Sequence, residues 1–536
     1  MILHKYITTG LLFHIAQLKG NRQLKNSYLL FLLIPFVGEI VYDFSQWKRY
    51  IFSFISHLPY IDQILDKEIM KEVNKIKPGL IEDRYKDIDQ NTITLKLPSK
   101  GVSDDSIMTQ LNKIIPEKSG KISGALYTKK DTYSDMIGYI YKEFSLLSPT
   151  HSDLWPVLNQ IRAEVYSICC NLFHGSDNSC AVFTAGGTLS IIQALYTYRK
   201  WAQDVKGVTN PNIIIPSSAH ASFRKGCDIL CIELIMVPVN EETGEADYIM
   251  MERVINLNTI LIVGSAPSFP CGIIDPVGKL GQIAHEYGIG FHIDACLGGF
   301  QLPFVEKAGY ELKEFIDFRN PYITSISADL HKFGKVPKGA SILMFRNKEL
   351  RDYLTYVDLQ WEGGLYVTPG FPGSESGATI IAAWTVLMMT GEDVYTKLTR
   401  DAIKLCRNMV KEIGFIEGVY VVGNPILSTF AIKSNTLNIH FIGKKMHEKG
   451  WELNSLPNGL HFCMGELQTS WEGCCDEFIK DLNEAISYAK SHPEEDPGTN
   501  AKIYCTTQQI PSYADSMLDK IGRMYMDVQT SNVIQA

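Results

Sequence analysis

The chain has 536 residues and a mass of 60.3 kDa, and 45% of its residues are hydrophobic. This length exceeds that of one ordinary domain and allows a large buried core. The formal net charge of −8 and the pI near 5.9 argue against nonspecific binding to nucleic acids, which requires basic surfaces. The 12 cysteines contain no Cys-x-x-Cys pair, which favours reduced thiols in a cytosol-facing protein. The sequence contains no zinc-protease or P-loop motif, so neither a metal site nor a P-loop nucleotide site is expected.

The first segment, residues 1–60, differs from the rest of the chain. Residues 28–37 are apolar throughout, and lysines and arginines flank them on both sides. A spanning helix needs about 20 apolar residues, and Pro35 and Glu39 interrupt this run. We expect a membrane-associated segment, either a short anchor or an interfacial helix next to anionic headgroups. A helix docked on the protein is the alternative.

Alternating strands and helices begin near residue 179. Residues 179–183 form a predicted strand, Gly186 and Gly187 a turn, and residues 189–201 an amphipathic helix. Such a turn is a potential anion site, because unpaired backbone N–H groups and the helix dipole converge there. The alternation predicts a mostly parallel sheet with helices on both faces, in which ligands bind at the carboxyl ends of the strands. Polar residues follow three further predicted strands, namely His220 after 212–215, Ser265 after 259–263 and Asp294 after 288–293.

A lysine follows the next predicted strand, residues 322–326. Gly334 and Pro337 disfavour a helix after it, so Lys332 is expected in a fixed loop just past a strand end. Partial burial there would lower the pKa of the lysine and free its amine to form a Schiff base with a carbonyl cofactor such as pyridoxal phosphate. The alternative is a surface lysine in a tight turn, which the polar residues after the preceding strands disfavour.

Asp294 and His220 suit the same cofactor. A carboxylate at the end of a buried strand is costly without a cationic partner, and a protonated pyridine nitrogen would be such a partner. A helix N-cap is the alternative role for Asp294. His220 would stack on the flat ring, with a hydrogen-bonded turn residue as its alternative. The glycine turn, the histidine, the aspartate and the lysine, in this chain order, indicate a pyridoxal-phosphate enzyme of the aspartate-aminotransferase fold.

From about residue 123 to residue 465 the sequence resembles the sphingosine-1-phosphate lyases, which belong with the amino-acid decarboxylases in this fold. The resemblance implies an α/β fold of type I, with a large, mostly parallel-sheet domain and a small α+β C-terminal domain. The apolar N-terminal run fits as well, since eukaryotic members carry a short membrane anchor. The motifs that carry the resemblance are Ser123-Gly-Ala-Leu-Tyr127, Thr184-Ala-Gly-Gly-Thr188, Ser218-Ala-His220-Ala-Ser-Phe223, Val263-Gly-Ser-Ala-Pro-Ser-Phe-Pro270, His292-Ile-Asp294-Ala-Cys-Leu-Gly-Gly-Phe300, Ser325-Ile-Ser-Ala-Asp-Leu-His-Lys332 and Gly363-Gly-Leu-Tyr366.

The resemblance also implies the residues of the site. Lys332 would be the Schiff-base residue, Asp294 the partner of the pyridine nitrogen, and Tyr366 a catalytic group near the reacting carbon. The substrate phosphate would be held by Tyr127, His151 and Lys338, because a hydroxyl and two groups able to carry positive charge suit a phosphate dianion. Besides Asp294 and Lys332, the residues that bind pyridoxal 5'-phosphate would be Gly186, Gly187, Thr188, His220, Ser265, His331, Gly373 and Ser374.

Three positions depart from the family pattern. Phe333 stands where a tyrosine is usual, and Leu189 replaces the glutamate that commonly follows Gly-Gly-Thr. Glu375 replaces the arginine of the family's Gly-Ser-Arg-Pro-Gly, which exchanges a cation for an anion near the cofactor phosphate. A backbone contact of Gly373 and Ser374 with the cofactor is still expected.

The implied activity is that of an aldehyde-lyase, which cleaves sphingosine 1-phosphate and related phosphorylated sphingoid bases between C2 and C3 in sphingolipid catabolism. Loss of the proton from the C3 hydroxyl leads to a retro-aldol step that releases a long-chain aldehyde and then phosphoethanolamine. Tyr366, Lys332 and the substrate phosphate are the candidates for the group that takes this proton. The alternatives are an amino-acid decarboxylase with the same cofactor and a non-catalytic membrane scaffold that retains the fold.

A homodimer with groups of both subunits in each site is also implied. The expected location is an intracellular membrane, such as that of the endoplasmic reticulum, with the catalytic domain facing the cytosol. The expected parts of the chain are a membrane-associated segment (1–60), a helical segment that contributes to the site (61–156), a large cofactor-binding domain (157–394), a small α+β domain (395–492) and a tail (493–536).

The small domain has its own predicted elements. A helix over residues 376–389 leads to it and meets a break near Gly391. His461 is predicted to be a strand residue of this domain rather than a site residue. The predicted strands are residues 419–422, 428–432 and 437–441, and residues 474–489 are a predicted helix.

Overall fold

The structure is a computed structural model, and it describes residues 98, 100–112, 114, 120–129, 133–151, 153–493, 522–523 and 526. The chain divides into two units, one of residues 102–500 and one of residues 1–101 with 501–536. The elements below belong to the first unit. The predicted membrane segment, residues 1–60, lies outside the described residues. Within the described part of the chain, no helix is both long enough and apolar enough to cross a membrane.

The large sheet consists of β1 (Cys180–Thr184), β2 (Asn212–Pro216), β3 (Glu233–Val237), β4 (Thr259–Ser265), β5 (Gly290–Asp294), β6 (Ser325–Ala328) and β7 (Ser341–Phe345). Their spatial order is β1-β7-β6-β5-β4-β2-β3. Five neighbouring strands run parallel to one another, namely β6, β5, β4, β2 and β3. Strand β7 runs antiparallel to both of its neighbours, β6 and β1. The prediction of a mostly parallel sheet is confirmed.

Helices cover both faces of this sheet. Because side chains alternate along a strand, Ile214 of β2 packs with one layer of helices, and Ile213 and Ile215 pack with the other. Both faces are therefore dry, which is why these strands are apolar runs in the sequence. The helices up to the small domain are α1 (Asp104–Leu111), α2 (Tyr133–Phe144), α3 (Pro156–Leu172), α4 (Gly187–Lys206), α5 (Ser222–Leu230), α6 (Tyr248–Arg253), α7 (Val277–Glu286), α8 (Lys348–Asp352) and α9 (Gly377–Ile413).

A hairpin and a long helix connect the large sheet to the small domain. The hairpin pairs β8 (Tyr356–Asp358) with β9 (Tyr366–Thr368). Helix α9 follows, and its backbone leaves helical geometry at Gly391, where φ is 63° and ψ is 171°. The predicted break near Gly391 is confirmed, and the helix resumes beyond it.

The small C-terminal domain is an antiparallel sheet with helices against it. The prediction of a strand over residues 437–441 is wrong. Asn438 caps a helix there, because its side chain accepts hydrogen bonds from the N–H groups of His440 and Phe441. His461 lies in a strand, as predicted. The strands are β10 (Tyr420–Val421), β11 (Thr429–Lys433), β12 (Asn454–Leu456) and β13 (Gly459–Cys463), and the helices are α10 (Ile439–Glu448), α11 (Glu466–Thr469) and α12 (Cys474–Ser491).

The segment of residues 120–129 lies along the small domain. The Ser123 N–H donates to the Glu452 carbonyl at 3.0 Å, and the Gly124 N–H donates to the Cys463 carbonyl at 3.2 Å. These bonds hold Tyr127 next to β13 and the loop after β6, although Tyr127 lies far earlier in the chain than either. Tyr127, Cys463 and Leu297 form one buried apolar cluster.

Candidate active site

Lys332 lies in the turn after β6, beside a buried carboxylate. Its Nζ is 2.9 Å from Asp329 Oδ2, and the Asp329 side chain is 3% exposed. The second carboxylate oxygen, Oδ1, is buried and has no hydrogen-bond partner among the residues that the structure describes. Asp329 is not one of the site residues predicted from the sequence. The sequence signal that could have identified Asp329 is an acidic residue three positions before the lysine.

The pKa of Lys332 is raised, whereas the sequence suggested that it would be lowered. Burial by itself lowers this pKa, because the ammonium loses its water. The negative charge of the Asp329 carboxylate raises the pKa, and Cys296 and Tyr127 raise it further. Together these charges outweigh the effect of burial, so the pKa of Lys332 lies above its ordinary value. The expectation of a free amine is therefore wrong for the chain by itself. The buried ion pair keeps a proton on Lys332 Nζ at neutral pH.

The glycine turn faces this ion pair. Helix α4 begins at Gly187, and Gly186 has a φ of 144°, which residues with a Cβ rarely adopt. A Cβ atom at Gly187 would lie 2.8 Å from both Asp329 carboxylate oxygens. A Cβ atom at Gly186 would lie 3.5 Å from His331 Cε1. The fold thus brings the glycine turn and the loop of Lys332 together.

Thr188 and His220 are connected through Ser222. The Thr188 and Ser222 hydroxyl oxygens are 2.8 Å apart, and the Ser222 oxygen is 2.8 Å from His220 Nδ1. Since His220 Nδ1 also accepts the Ser222 backbone N–H at 3.1 Å, this nitrogen carries no proton and Nε2 does. Ser222 orients the His220 ring beside the start of α4. The sequence interpretation missed Ser222, two residues after the histidine.

Asp294 ends β5 between two parallel neighbours. The register places Ser265 of β4 and Ser327 of β6 beside it. Asp294 Oδ1 accepts hydrogen bonds from the Cys296 N–H at 3.0 Å and from the Ser327 hydroxyl at 3.4 Å. The Ser265 hydroxyl is buried and has no hydrogen-bond partner within the described part of the chain. The predicted polar groups of Asp294 and Ser265 therefore lie side by side at the carboxyl ends of neighbouring strands.

A buried histidine supports Asp294 from inside the sheet. His292 lies two residues earlier on the same face of β5, with Nδ1 2.7 Å from the Ser325 hydroxyl and Nε2 3.1 Å from the Ser327 hydroxyl. Burial lowers the pKa of His292 to about 4, against an opposing effect of Asp294, so the ring is neutral at pH 7. Because the Ser327 hydroxyl donates its one proton to Asp294, its oxygen accepts the hydrogen bond from the Nε2–H group of His292. The sequence interpretation missed both supporting residues.

Two of the three residues predicted to hold the substrate phosphate meet next to Lys332. The Tyr127 ring packs edge-on against Phe333 at 5.1 Å, and Lys338 Nζ lies 4.8 Å from the centre of the same ring. Burial and the Lys332 charge lower the pKa of Lys338, against an opposing effect of Asp329. Burial raises the pKa of Tyr127, so its hydroxyl is protonated at neutral pH.

The third of these residues, His151, makes no described contact with the other two within one chain. It is exposed and packs edge-on against Trp155 at 6.0 Å. Among the described residues, no hydrogen bond, ion pair or ring contact joins it to Tyr127 or Lys338. Within one chain, direct contact is therefore found only between Tyr127 and Lys338 of the predicted phosphate site.

Tyr366, Gly373 and Ser374 lie together on the hairpin and the loop that follows it. A Cβ atom at Gly373 would lie 2.8 Å from the Tyr366 hydroxyl. The Tyr366 ring packs edge-on against Trp361 and Tyr356. In the described part of the chain, no hydrogen bond or ring contact connects this group to Lys332 or Asp294. The described contacts of one chain thus leave this group unconnected to the residues around Lys332.

Glu375, the acidic departure from the family pattern, pairs with an arginine of α3. Its Oε2 is 3.0 Å from Arg162 Nη1, and the Glu375 and Arg162 side chains are 11% and 22% exposed. Arg162 also donates to Asn159 Oδ1 at 2.6 Å. Burial raises the pKa of Glu375, and the arginine opposes this shift. The anion at position 375 therefore ties its loop to α3.

Known proteins resemble this chain in sequence. Residues 156–427 match the pyridoxal-dependent decarboxylase conserved domain. Sphingosine-1-phosphate lyase 1 of Rattus norvegicus is 34% identical over 512 residues, which cover 94% of this chain and 88% of the rat protein. A probable sphingosine-1-phosphate lyase of Legionella pneumophila is 37% identical over 495 residues, which cover 86% of this chain and 80% of that protein.

Solved structures resemble it in fold. A sphingosine-1-phosphate lyase of Burkholderia pseudomallei superposes with a TM-score of 0.72 at 32% identity, covering 75% of this chain and 94% of that one. Glutamate decarboxylase of Lactobacillus brevis superposes with a TM-score of 0.64 at 18% identity, covering 74% of this chain and 95% of that one. At that identity the second match shows the fold alone. The expected aspartate-aminotransferase-like architecture is confirmed.

Proposed function

The chain belongs to the sphingosine-1-phosphate lyases, and from this premise we propose that it cleaves sphingosine 1-phosphate and related phosphorylated sphingoid bases between C2 and C3. The products would be a long-chain aldehyde and phosphoethanolamine, so the reaction is a step of sphingolipid catabolism of the aldehyde-lyase type. The observation that carries the proposal is the pair of Tyr127 and Lys338 beside Lys332. A hydroxyl and an ammonium suit a substrate phosphate.

The enzyme uses pyridoxal phosphate, and the residues at the strand ends fit this cofactor. The start of α4 suits its phosphate, because the first backbone N–H groups of a helix have no partner within the helix. The buried Ser265 hydroxyl and Asp329 Oδ1 lack partners within the described chain, and a bound polar group would satisfy them. When bound, the cofactor supplies an electron sink for the electrons released as the C2–C3 bond breaks.

Five residues of the site have proposed tasks: Lys332, Asp294, His220, Tyr127 and Lys338. Lys332 would hold the cofactor covalently and afterwards carry a proton at Nζ beside Asp329. Asp294, held by the Cys296 N–H and the Ser327 hydroxyl, would pair with the ring nitrogen and keep it protonated. His220, oriented by Ser222, would pack on the ring. The phosphate of the substrate would lie at Tyr127 and Lys338, and C2, the carbon next to the phosphate-bearing C1, would face Lys332.

Aldehyde release from sphingosine 1-phosphate tests the proposal. The purified protein with its cofactor should release a long-chain aldehyde, measured by a hydrazine reagent or by a coupled aldehyde dehydrogenase. Sphingosine without the phosphate is the matched control and should react far more slowly, because it leaves the Tyr127 and Lys338 groups without a ligand. Release of carbon dioxide from amino acids without any aldehyde would contradict the proposal and indicate a decarboxylase.

We also propose a homodimer in which each site takes residues from both subunits. Support comes from the hairpin of β8 and β9 and the loop inside it, which expose large apolar side chains in one small region. Trp361 is 57%, Leu365 69% and Leu359 75% exposed, a concentration that is typical of a protein interface. The same region carries Tyr366 and Gly373, which no described contact joins to Lys332 of their own chain.

Mixing two inactive variants tests the shared site. Lys332→Ala removes the lysine, and Gly373→Trp adds a large side chain at a place where even a Cβ atom would lie 2.8 Å from the Tyr366 hydroxyl. After subunit exchange at equal amounts, half of the dimers are hybrids, each with one intact site, so about a quarter of the wild-type activity should return. Each variant mixed with itself is the control. No recovery in spite of measured subunit exchange would show that each site is built from one chain.

We further propose that residues 1–60 attach the enzyme to an intracellular membrane, with the catalytic part facing the cytosol. The apolar run 28–37 and the basic residues around it support attachment, and the cysteines of the described chain are free thiols, which suits the cytosol. Removal of residues 1–60 should abolish sedimentation with phospholipid vesicles and leave the activity on detergent-dispersed substrate within about twofold. Loss of cofactor binding in the truncated protein would instead identify the segment as part of the fold.

A further inference from the structure

The Glu466 carboxylate joins the two chain segments that carry Tyr127 and Lys332. Its Oε2 lies 2.7 Å from Lys335 Nζ and accepts hydrogen bonds from the Thr128 hydroxyl at 2.8 Å and the Lys129 N–H at 3.4 Å. The Glu466 backbone N–H donates to the Tyr127 carbonyl at 3.0 Å. One residue at the start of α11 thus bonds to Tyr127, to both residues that follow it, and to the loop after Lys332.

The ion pair of Glu466 is shielded from water. The Lys335 side chain is 6% exposed and the Glu466 side chain 14% exposed, so solvent screens this pair far less than a surface pair. Lys335 has a φ of 65°, which is unfavourable for a residue with a Cβ. Its N–H donates to the Lys332 carbonyl at 3.2 Å. The pair therefore stabilises a strained turn that begins at Lys332 itself.

The segment that contains Tyr127 packs directly against Gly465, the residue before Glu466. A Cβ atom at Gly465 would lie 2.8 Å from the Tyr127 carbonyl oxygen and 2.9 Å from the Leu126 carbonyl oxygen. On its other side the Tyr127 ring packs against Phe333, the residue after Lys332, at 5.1 Å. The place of Tyr127 is therefore set by the small domain and by the lysine loop together, and Glu466 bonds to both.

We propose that Glu466 is a positioning residue, which fixes Tyr127 relative to Lys332 and so sets the affinity of the enzyme for the phosphate end of its substrate. The inference rests on the proposed function, because it takes Tyr127 as a ligand of the substrate phosphate. Glu466 would thus be a residue of the small domain that does not contact the substrate and acts on it by holding Tyr127 against the loop of Lys332.

Glu466→Gln tests the inference, because glutamine keeps the size and an acceptor oxygen but removes the charge next to Lys335. The probes are sphingosine 1-phosphate as substrate and phosphoethanolamine as competitive inhibitor, which carries the same phosphate. We expect the KM and the inhibition constant to rise about tenfold, and kcat to fall less than about threefold. Tyr127→Phe should raise the same two constants. In a Tyr127→Phe background Glu466→Gln should not raise the two constants further, because both changes act on the same interaction, that of the Tyr127 hydroxyl with the phosphate.

Two control variants separate positioning from stability. Thr128→Val removes only the hydroxyl that donates to Glu466, and it should raise the inhibition constant in the same direction but less. If Glu466→Gln does not fold, Thr128→Val decides the test. Glu448→Gln breaks an exposed pair with Lys445 in the same domain, at 3.1 Å, and should leave both constants unchanged.

The outcomes distinguish this inference from the proposed function. A lower melting temperature with unchanged constants, or constants that rise independently in the double variant, would show that Glu466 only stabilises the fold. An unchanged inhibition constant in Thr128→Val, when Glu466→Gln does not fold, would overturn the inference as well. A wild-type enzyme that releases no aldehyde would overturn the proposed function itself.

Discussion

Lys332→Ala should reduce aldehyde release by at least about 10⁴-fold, the upper end of what a positioned proton-transferring group contributes. Lys332 is the lysine that lies at the strand end next to both the glycine turn and a buried carboxylate. The variant loses the amine that would hold the cofactor and the proton that Asp329 keeps on Nζ. Borohydride reduction followed by mass spectrometry of peptides should find the cofactor on Lys332 of the wild type and on no peptide of the variant.

An exposed lysine provides the control for this experiment. Lys348→Ala, at the start of α8, makes the same change at a solvated position and should leave activity and cofactor attachment unchanged. Alanine at position 332 also leaves Asp329 buried without its ammonium, so the melting temperature should be followed in parallel. Cofactor attached to a different lysine, with turnover near that of the wild type, would show that the assignment of Lys332 is wrong.

Asp294→Asn should reduce kcat by about 10²–10³-fold, the size of effect seen when one preorganised electrostatic group is removed from an active site. The asparagine oxygen can still accept the Cys296 N–H, so the fold and cofactor binding should persist. What is lost is the negative charge that would keep the ring nitrogen protonated. Steady-state rates per mole of bound cofactor, together with the absorbance of that cofactor, separate the two effects.

A second buried aspartate controls for the loss of a buried charge. Asp317, which pairs with Arg319 at 2.8 Å and lies 3.1 Å from His174 Nδ1, is likewise nearly buried. Asp317→Asn should lower the melting temperature and leave the rate per bound cofactor unchanged. A rate for Asp294→Asn within about threefold of the wild type would remove Asp294 from the proposed mechanism.

Local pattern explains why much of the fold was predictable. The strands of the large sheet are short apolar runs, and the glycine turn and the break near Gly391 are local signals that need no distant partner. The stretch 437–441 shows the limit of this reasoning. Its apolar residues suit a strand or a helix, and the cap at Asn438 decided for a helix. A side chain that bonds two backbone N–H groups just before such a run outweighs its strand character.

The predicted site residues divide in the same way. Residues at strand ends, such as Asp294 and Lys332, were identifiable because the end of a buried strand is visible in the sequence. The groups that support Asp294 were not, since His292 and Ser327 acquire their roles only from distances between neighbouring strands. The assignment of the site residues to roles stays a prediction until the variants are measured.

The sequence by itself determined the order of the elements, the positions of the glycine turn, Asp294 and Lys332, and the family, because each depends on residues adjacent in the chain. The tertiary structure alone decided the proton on Lys332, since burial and the Asp329 carboxylate act in opposite directions and their balance depends on distance. It also decided the partners of Glu375 and Glu466, which lie 213 residues from Arg162 and 338 residues from Thr128. Contacts over such separations arise from packing, which brings together groups that no local pattern relates.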